Sequence, residues 1–290
     1  MGSIPGIHQN VIVLDFKSLY PSIIRTFHVD PLALAVAAHE ENPIEGYDGG
    51  KFSREEFILP ELISTLWSAR DKEKASKNTA LSQAIKIIMN SFYGILGTVG
   101  CRFLDSRLVS SITKRGHESL VQSKNFIEDA GYQVIYGDTD SVFVLLGSVP
   151  DDQVNVIGEG LTTQLNAWWT NRLREKYDIS SFLELEFETH FSKFLMPTVR
   201  GSDAGSKKRY AGLVVDNSNP KKSHLLFKGL ESVRSDWSPL AREFQKELYR
   251  RVFFGEPYED YIKLTVQQLT DGKYESEMVL RKRLRRRLKD

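Results

Sequence analysis

The sequence has almost no cysteine. Cys101 stands alone among 290 residues, so no disulfide can form within the chain and no cysteine-based zinc cluster can be built. The six histidines show no ligand spacing. No apolar run reaches the roughly 20 residues that a membrane span requires, and nothing at the amino terminus reads as a secretory signal. A membrane partner is therefore not expected, and a cytoplasmic setting is the default. Net charge is also lacking. Lysines and arginines number 39 and acidic residues 38, a formal +1, so no overall basic character marks a nucleic-acid partner. Internal repeats and low-complexity stretches are absent.

The composition that remains is that of a folded protein. Hydrophobic residues make up 41% and charged residues 27%, enough for one large or two ordinary cores. Charge is uneven: residues 281–290 hold seven basic groups and one acid. Such a run is either a solvated tail or a patch for phosphates. Met1-Gly2-Ser3 reads as an appended start, and both ends read as cut from something longer.

Val11-Ile12-Val13-Leu14 is a continuous apolar run that predicts a buried strand ending near Asp15. Pro21 suits the first turn of a helix just beyond. Residues 39–51, with three glycines, a proline and four acids, predict a loop. Ser53-Arg54-Glu55-Glu56 has the capping-box pattern and predicts a helix over 54–76, broken at Pro60. A short turn and a second helix over 80–94 follow, so the two must lie antiparallel. Further helices are expected over 110–130, closed by Gly131, and over 154–176, 239–254 and 258–270. Strands are expected over 132–136, 141–146, 183–188, 209–215 and 223–228. Without a βαβ rhythm, the class is α+β with a helical insertion.

Chemistry concentrates in residues 134–146. Two strand-like runs flank Gly137-Asp138-Thr139-Asp140-Ser141, placing Asp138 and Asp140 at a hairpin tip. This is ordinary turn chemistry, and it is equally a place for a divalent cation between two carboxylates. If the strand ending at Asp15 is a neighbour, Asp15, Asp138 and Asp140 converge and can hold two magnesium ions. The competing reading makes Asp15 a helix N-cap. Arg70 and Lys74, and Lys86 and Asn90 on the facing helix, are each spaced i, i+4 and share a helix face. They suit a polyanion such as a triphosphate, unless they are a solvated face. Lys207-Lys208-Arg209-Tyr210 sets three cations beside an aromatic, a weak signal for a nucleic-acid backbone.

Taken together these segments resemble the family B DNA polymerases. Asp15-Phe16-Lys17-Ser18-Leu19-Tyr20-Pro21-Ser22-Ile23-Ile24 is similar to their motif A, Lys86-Ile87-Ile88-Met89-Asn90-Ser91-Phe92-Tyr93-Gly94 to motif B, and Tyr136-Gly137-Asp138-Thr139-Asp140-Ser141 to motif C. Lys207 to Tyr210 and Lys228-Gly229-Leu230-Glu231 also fit, in the family's order. Arg102-Phe103, Leu195-Met196-Pro197-Thr198 and the basic terminus resemble bacterial members.

The resemblance implies an antiparallel-sheet palm with an inserted two-helix fingers subdomain. It divides the chain into palm over 1–52 and 98–235, fingers over 53–97 and the start of a helical thumb over 236–290. It implies that Asp15, Asp138 and the Phe16 backbone bind two Mg2+ ions, for which Mn2+ substitutes, with Asp140 in support and Glu186 near. The backbone around Ser18 and Leu19 touches a dNTP, Tyr20 packs under its deoxyribose and excludes a 2′-hydroxyl, and Arg70, Lys74, Lys86 and Asn90 meet its phosphates. Tyr93 and Gly94 shape the base-pair pocket. Lys207, Lys208, Arg209 and Tyr210 hold primer-template DNA. A sliding clamp is an implied partner through parts outside this chain. The exonuclease acids of the family have no counterpart before Asp15. The expected activity is DNA-directed nucleotidyl transfer. A nucleotide cyclase is an alternative disfavoured by Tyr20 and the Lys207 cluster, and a binding module without catalysis is disfavoured by the complete set of acids.

Overall fold

A computed structural model describes residues 2–199, 201–215 and 223–281. Most of the basic run at the carboxyl end lies outside these residues. The chain divides into two units, one of residues 13–144 and 155–188, the other of residues 2–12, 145–154 and 189–290. Strand β1 (Gly6–Phe16) and strand β6 (Leu185–Met196) run from one unit into the other. Among the described residues no helix is long and apolar enough to cross a membrane.

In the first unit the sheet order is β4 (Gln133–Asp138), β5 (Ser141–Leu145), β1, β6. The apolar run Val11–Leu14 carries strand β1 into the core: Val13, Leu14 and Phe16 are buried, and Asp15 between them is only half so. Helix α1 (Leu19–Phe27) begins at once. Its N-cap is Ser18, held at φ 47°, so the reading of Asp15 as an N-cap fails. Pro21 sits in the first turn, where its missing N–H costs nothing. Helix α2 (Pro31–Val36) is capped by the Asp30 carboxylate, which accepts the Ala33 N–H at 2.9 Å.

The stretch expected to be a loop forms a small antiparallel hairpin, β2 (Ile44–Glu45) with β3 (Lys51–Phe52). Its turn uses Asp48 and Gly49 at positive φ, which is why glycine and acid content disguised it. Ser53 does accept the N–H groups of Glu55 and Glu56. The helix nevertheless waits until α3 (Leu59–Ala75), because Pro60 is tolerated only in a first turn. Asp30 Oδ2 caps Leu59 N–H instead, at 2.9 Å. Helix α4 (Thr79–Leu96) follows after residues 76–78, capped by Asn78, and packs against α3. Helix α5 (Ser106–Asp129) lies on α1 and α4, and α6 (Asp151–Tyr177) precedes β6.

In the second unit the strand order is β1, β6, β7 (Tyr210–Val214), β8 (His224–Lys228). Both β6–β7 and β7–β8 are antiparallel, with Tyr210 opposite Lys228. Helices α7 (Pro239–Phe254) and α8 (Glu259–Thr270) complete it. Phe253 of α7 is buried with Ala211 and Leu230 against Leu195, Leu213 and Phe227. The class is mixed helix and antiparallel sheet, as expected.

Candidate active site

Strand β1 and the β4–β5 hairpin meet at their ends. The Phe16 N–H donates to the Asp140 carbonyl at 2.9 Å, and the Ser141 hydroxyl donates to Asp15 Oδ1 at 2.8 Å. The hairpin is anchored by the buried rings of Tyr136 and Phe143, 5.1 Å apart. Its tip is tight: Thr139 lies at φ 47°, unusual for a β-branched residue, and the Asp140 N–H donates to the Asp138 carbonyl. Strain of this kind persists only where the surroundings enforce it.

Asp15 carries the electrostatics. Burial, together with the negative charges of Asp140, Glu188 and Glu186, pushes its carboxyl up to about 7, against the opposing hydrogen bond from Ser141. Lys17 bonds Glu184 at 2.5 Å and lies 3.6 Å from Glu186. The Glu184 bond holds its ammonium above the usual lysine range.

Asp138 is placed differently. Its Oδ1 accepts the Thr139 hydroxyl at 3.2 Å. Among the described residues no three Asp, Glu, His or Cys side chains gather closely enough to enclose a metal ion. Asp15 and Asp140 are neighbours by the strand contact and by charge, and Asp138 lies two residues from Asp140 at the end of β4. Magnesium sites commonly use one or two carboxylates, with water and substrate phosphates completing the shell, so the donor set still fits that chemistry.

The other motif residues arrive from two helices. Tyr20 of α1 and Tyr93 of α4 have ring centroids 4.6 Å apart. Burial, then Tyr93 and Asp140, raise the Tyr20 hydroxyl's pKa, which brings the three sequence motifs into one neighbourhood. Two side chains here have a buried polar atom without a partner: Ser18 Oγ and Arg70 Nε. Lys74 and Asn90 are exposed, and Arg70 and Lys86 half-buried. Among the described residues none of Arg70, Lys74 and Lys86 has an ion-pair partner. A Cβ at Gly94 would meet nothing within 4 Å, so internal packing does not require glycine there.

The basic cluster lies in the second unit, at the start of β7. Lys207 and Lys208 are exposed, and Arg209 is ion-paired with Glu231. Lys208 (φ 60°) and Gly229 (φ 61°) meet so closely that a Cβ at 229 would overlap the Lys208 carbonyl. The two separate sequence elements are thus one structural feature. Tyr210, the last residue of the cluster, has its ring buried against Phe194, at 5.2 Å, and Phe191.

Sequence reasoning assigned no role to Ser141, Glu188 or Gly116. A signal existed for Glu188, since 183–188 alternates strictly and puts Glu184, Glu186 and Glu188 on one strand face.

A family model described as DNA polymerase family B matches residues 3–285. The chain belongs to DNA polymerase family B. Among family B relatives it is 52% identical to DNA polymerase II of Escherichia coli (strain K12), covering all of this chain and 37% of that protein. It is 29% identical to the DNA polymerase of Thermococcus gorgonarius over 98% of this chain and 36% of that one. It is 28% identical to the DNA polymerase alpha catalytic subunit of Sterkiella nova, over 89% of this chain and 18% of that protein. The chain thus spans about a third or less of the length of these family B relatives.

Proposed function

We propose that this chain carries the nucleotidyl-transfer centre of a DNA-directed DNA polymerase. In this reading it joins a deoxynucleotide from a dNTP to a primer 3′-hydroxyl and releases pyrophosphate. The carrying observation is that Asp15, Tyr20, Tyr93 and Asp140, from three separate sequence motifs, share one neighbourhood. Residues 1–52 and 98–235 would be palm, 53–97 fingers and 236–290 the start of a thumb.

Asp15, Asp138 and the Phe16 carbonyl would hold two divalent cations, magnesium or manganese. When bound, these would make the primer hydroxyl a better nucleophile and neutralise charge on the leaving phosphate. Asp140 adds negative potential beside Asp15 and fixes β1 through its carbonyl. The orphaned Ser18 hydroxyl and Arg70 Nε are donors awaiting acceptors, and triphosphate oxygens supply them. With Lys74, Lys86, Asn90 and the Leu19 backbone they orient the nucleotide, and orientation plus charge neutralisation provides most of the catalysis in such transfers. Tyr20 bears on the sugar, with Tyr93 and Gly94 at the nascent pair. Lys207, Lys208 and Arg209 grip primer-template phosphates. A sliding clamp is a proposed partner of the whole protein, with no residue here assigned to it, and a bacterial cytoplasmic setting fits the relative from Escherichia coli.

The test is primer extension by the intact protein with magnesium, compared with its Asp138→Asn variant. Loss of about a hundredfold or more supports the assignment; equal extension by both refutes it.

A further inference from the structure

We propose that Gly116 is a positioning residue for sugar selection: the missing side chain on α5 seats the Tyr20 ring. This rests on the reading of Tyr20 as the residue beside the sugar.

Gly116 is buried in the interior of a 24-residue helix, where glycine is about 0.5–1 kcal/mol worse than alanine. Its φ is not positive, so no backbone demand explains it. Space does. A Cβ built there would lie 3.2 Å from Tyr20 Cε1, against 3.5 Å from Leu19 Cδ2 and 3.6 Å from Ile23 Cδ1. The last two are ordinary contacts. Only the tyrosine ring would have to give way, by a few tenths of an ångström. The ring also meets Tyr93 at a centroid distance of 4.6 Å. Tyr20 therefore touches both the bare helix at Gly116 and the Tyr93 ring. A methyl at 116 drives it away from α5, and its position relative to a bound sugar changes without any residue that touches the nucleotide being altered.

The expected behaviour is specific. In single-nucleotide extension by the intact protein, Gly116→Ala should lower kcat/KM for ribonucleotides more than for deoxynucleotides. The ratio of the two should change by roughly five- to tenfold, mainly through KM. In a Tyr20→Ala background the same substitution should change the ratio by less than about twofold, because the ring it pushes is gone. If Gly116→Ala fails to fold, Tyr20→Ala/Gly116→Ala should restore the thermal transition, which would equally support the seat. An unchanged ratio for Gly116→Ala, or the same change with and without the Tyr20 ring, overturns the proposal. If Tyr20→Ala alone leaves sugar discrimination intact, the role of Tyr20 itself is refuted, and the seat has no selective function.

Discussion

The Ser141 hydroxyl donates to Asp15 Oδ1 at 2.8 Å, tying the end of β1 to the strand that leaves the hairpin. This bond favours the ionised carboxylate and opposes the burial that raises its pKa. Ser141→Ala should therefore push the Asp15 pKa higher still. In metal-free, EDTA-containing buffer the Asp15 titration followed by NMR should move to higher pH by roughly one unit. A titration that does not move counts against the Ser141 bond as a support of the ionised carboxylate.

Asp15 also sets a stability slope. Its carboxyl titrates at about 7 in the folded protein and near 3.8 when unfolded. Between those values the folded state binds the extra proton, so stability falls as pH rises through the window. Asp15→Asn removes the ionised group. In metal-free, EDTA-containing buffer it should stabilise the protein above pH 7 by about 1–2 kcal/mol, a figure discounted for partial exposure. The slope from pH 4 to 7 should flatten while extension activity is lost. Thermal melts across this range check it, and a lower Tm for the variant at alkaline pH contradicts it.

Arg70 keeps a buried Nε without a partner. In the free protein that atom bears a desolvation cost and returns no bond. Arg70→Ala should leave Tm nearly unchanged but raise KM for dNTP about tenfold or more. Steady-state kinetics at saturating primer-template separate the two. A loss of stability with normal KM would make Arg70 a packing residue.

Two glycines should behave oppositely. Gly229 has positive φ and a backbone carbonyl against it, so Gly229→Ala should cost about 1–3 kcal/mol in urea unfolding. Gly94 sits in α4 with open space around it, so Gly94→Ala should hold or raise stability. If Gly94 borders the base-pair pocket, the same variant still loses activity.

Lys207 and Lys208 are exposed where the chain passes close to Gly229. Replacing both by alanine should weaken duplex binding without regard to sequence and reduce the slope of log affinity against log salt by about 2. Fluorescence anisotropy over a salt series measures this, and an unchanged slope removes both from the DNA contact.

The sequence by itself determined the elements whose signals are local. The apolar run of β1, the alternation of β6 and the α3–α4 pair are all read within windows of a few to about twenty residues. So are the residue types at Asp15, Tyr20, Tyr93 and the Asp138–Asp140 tip. Boundaries failed where a distant residue decided them: Asp30, not Ser53, caps α3, and the acidic stretch before it closed into a hairpin. Only the tertiary structure decided which groups meet. It set Ser141, Glu186 and Glu188 around Asp15 and placed the Tyr210 ring against Phe194. It also set Gly116 of α5 against the ring of Tyr20, a residue far away in the chain. Periodicity records how a residue faces its own element. Burial, hydrogen bonds and electrostatic shifts depend on neighbours that only the folded chain supplies.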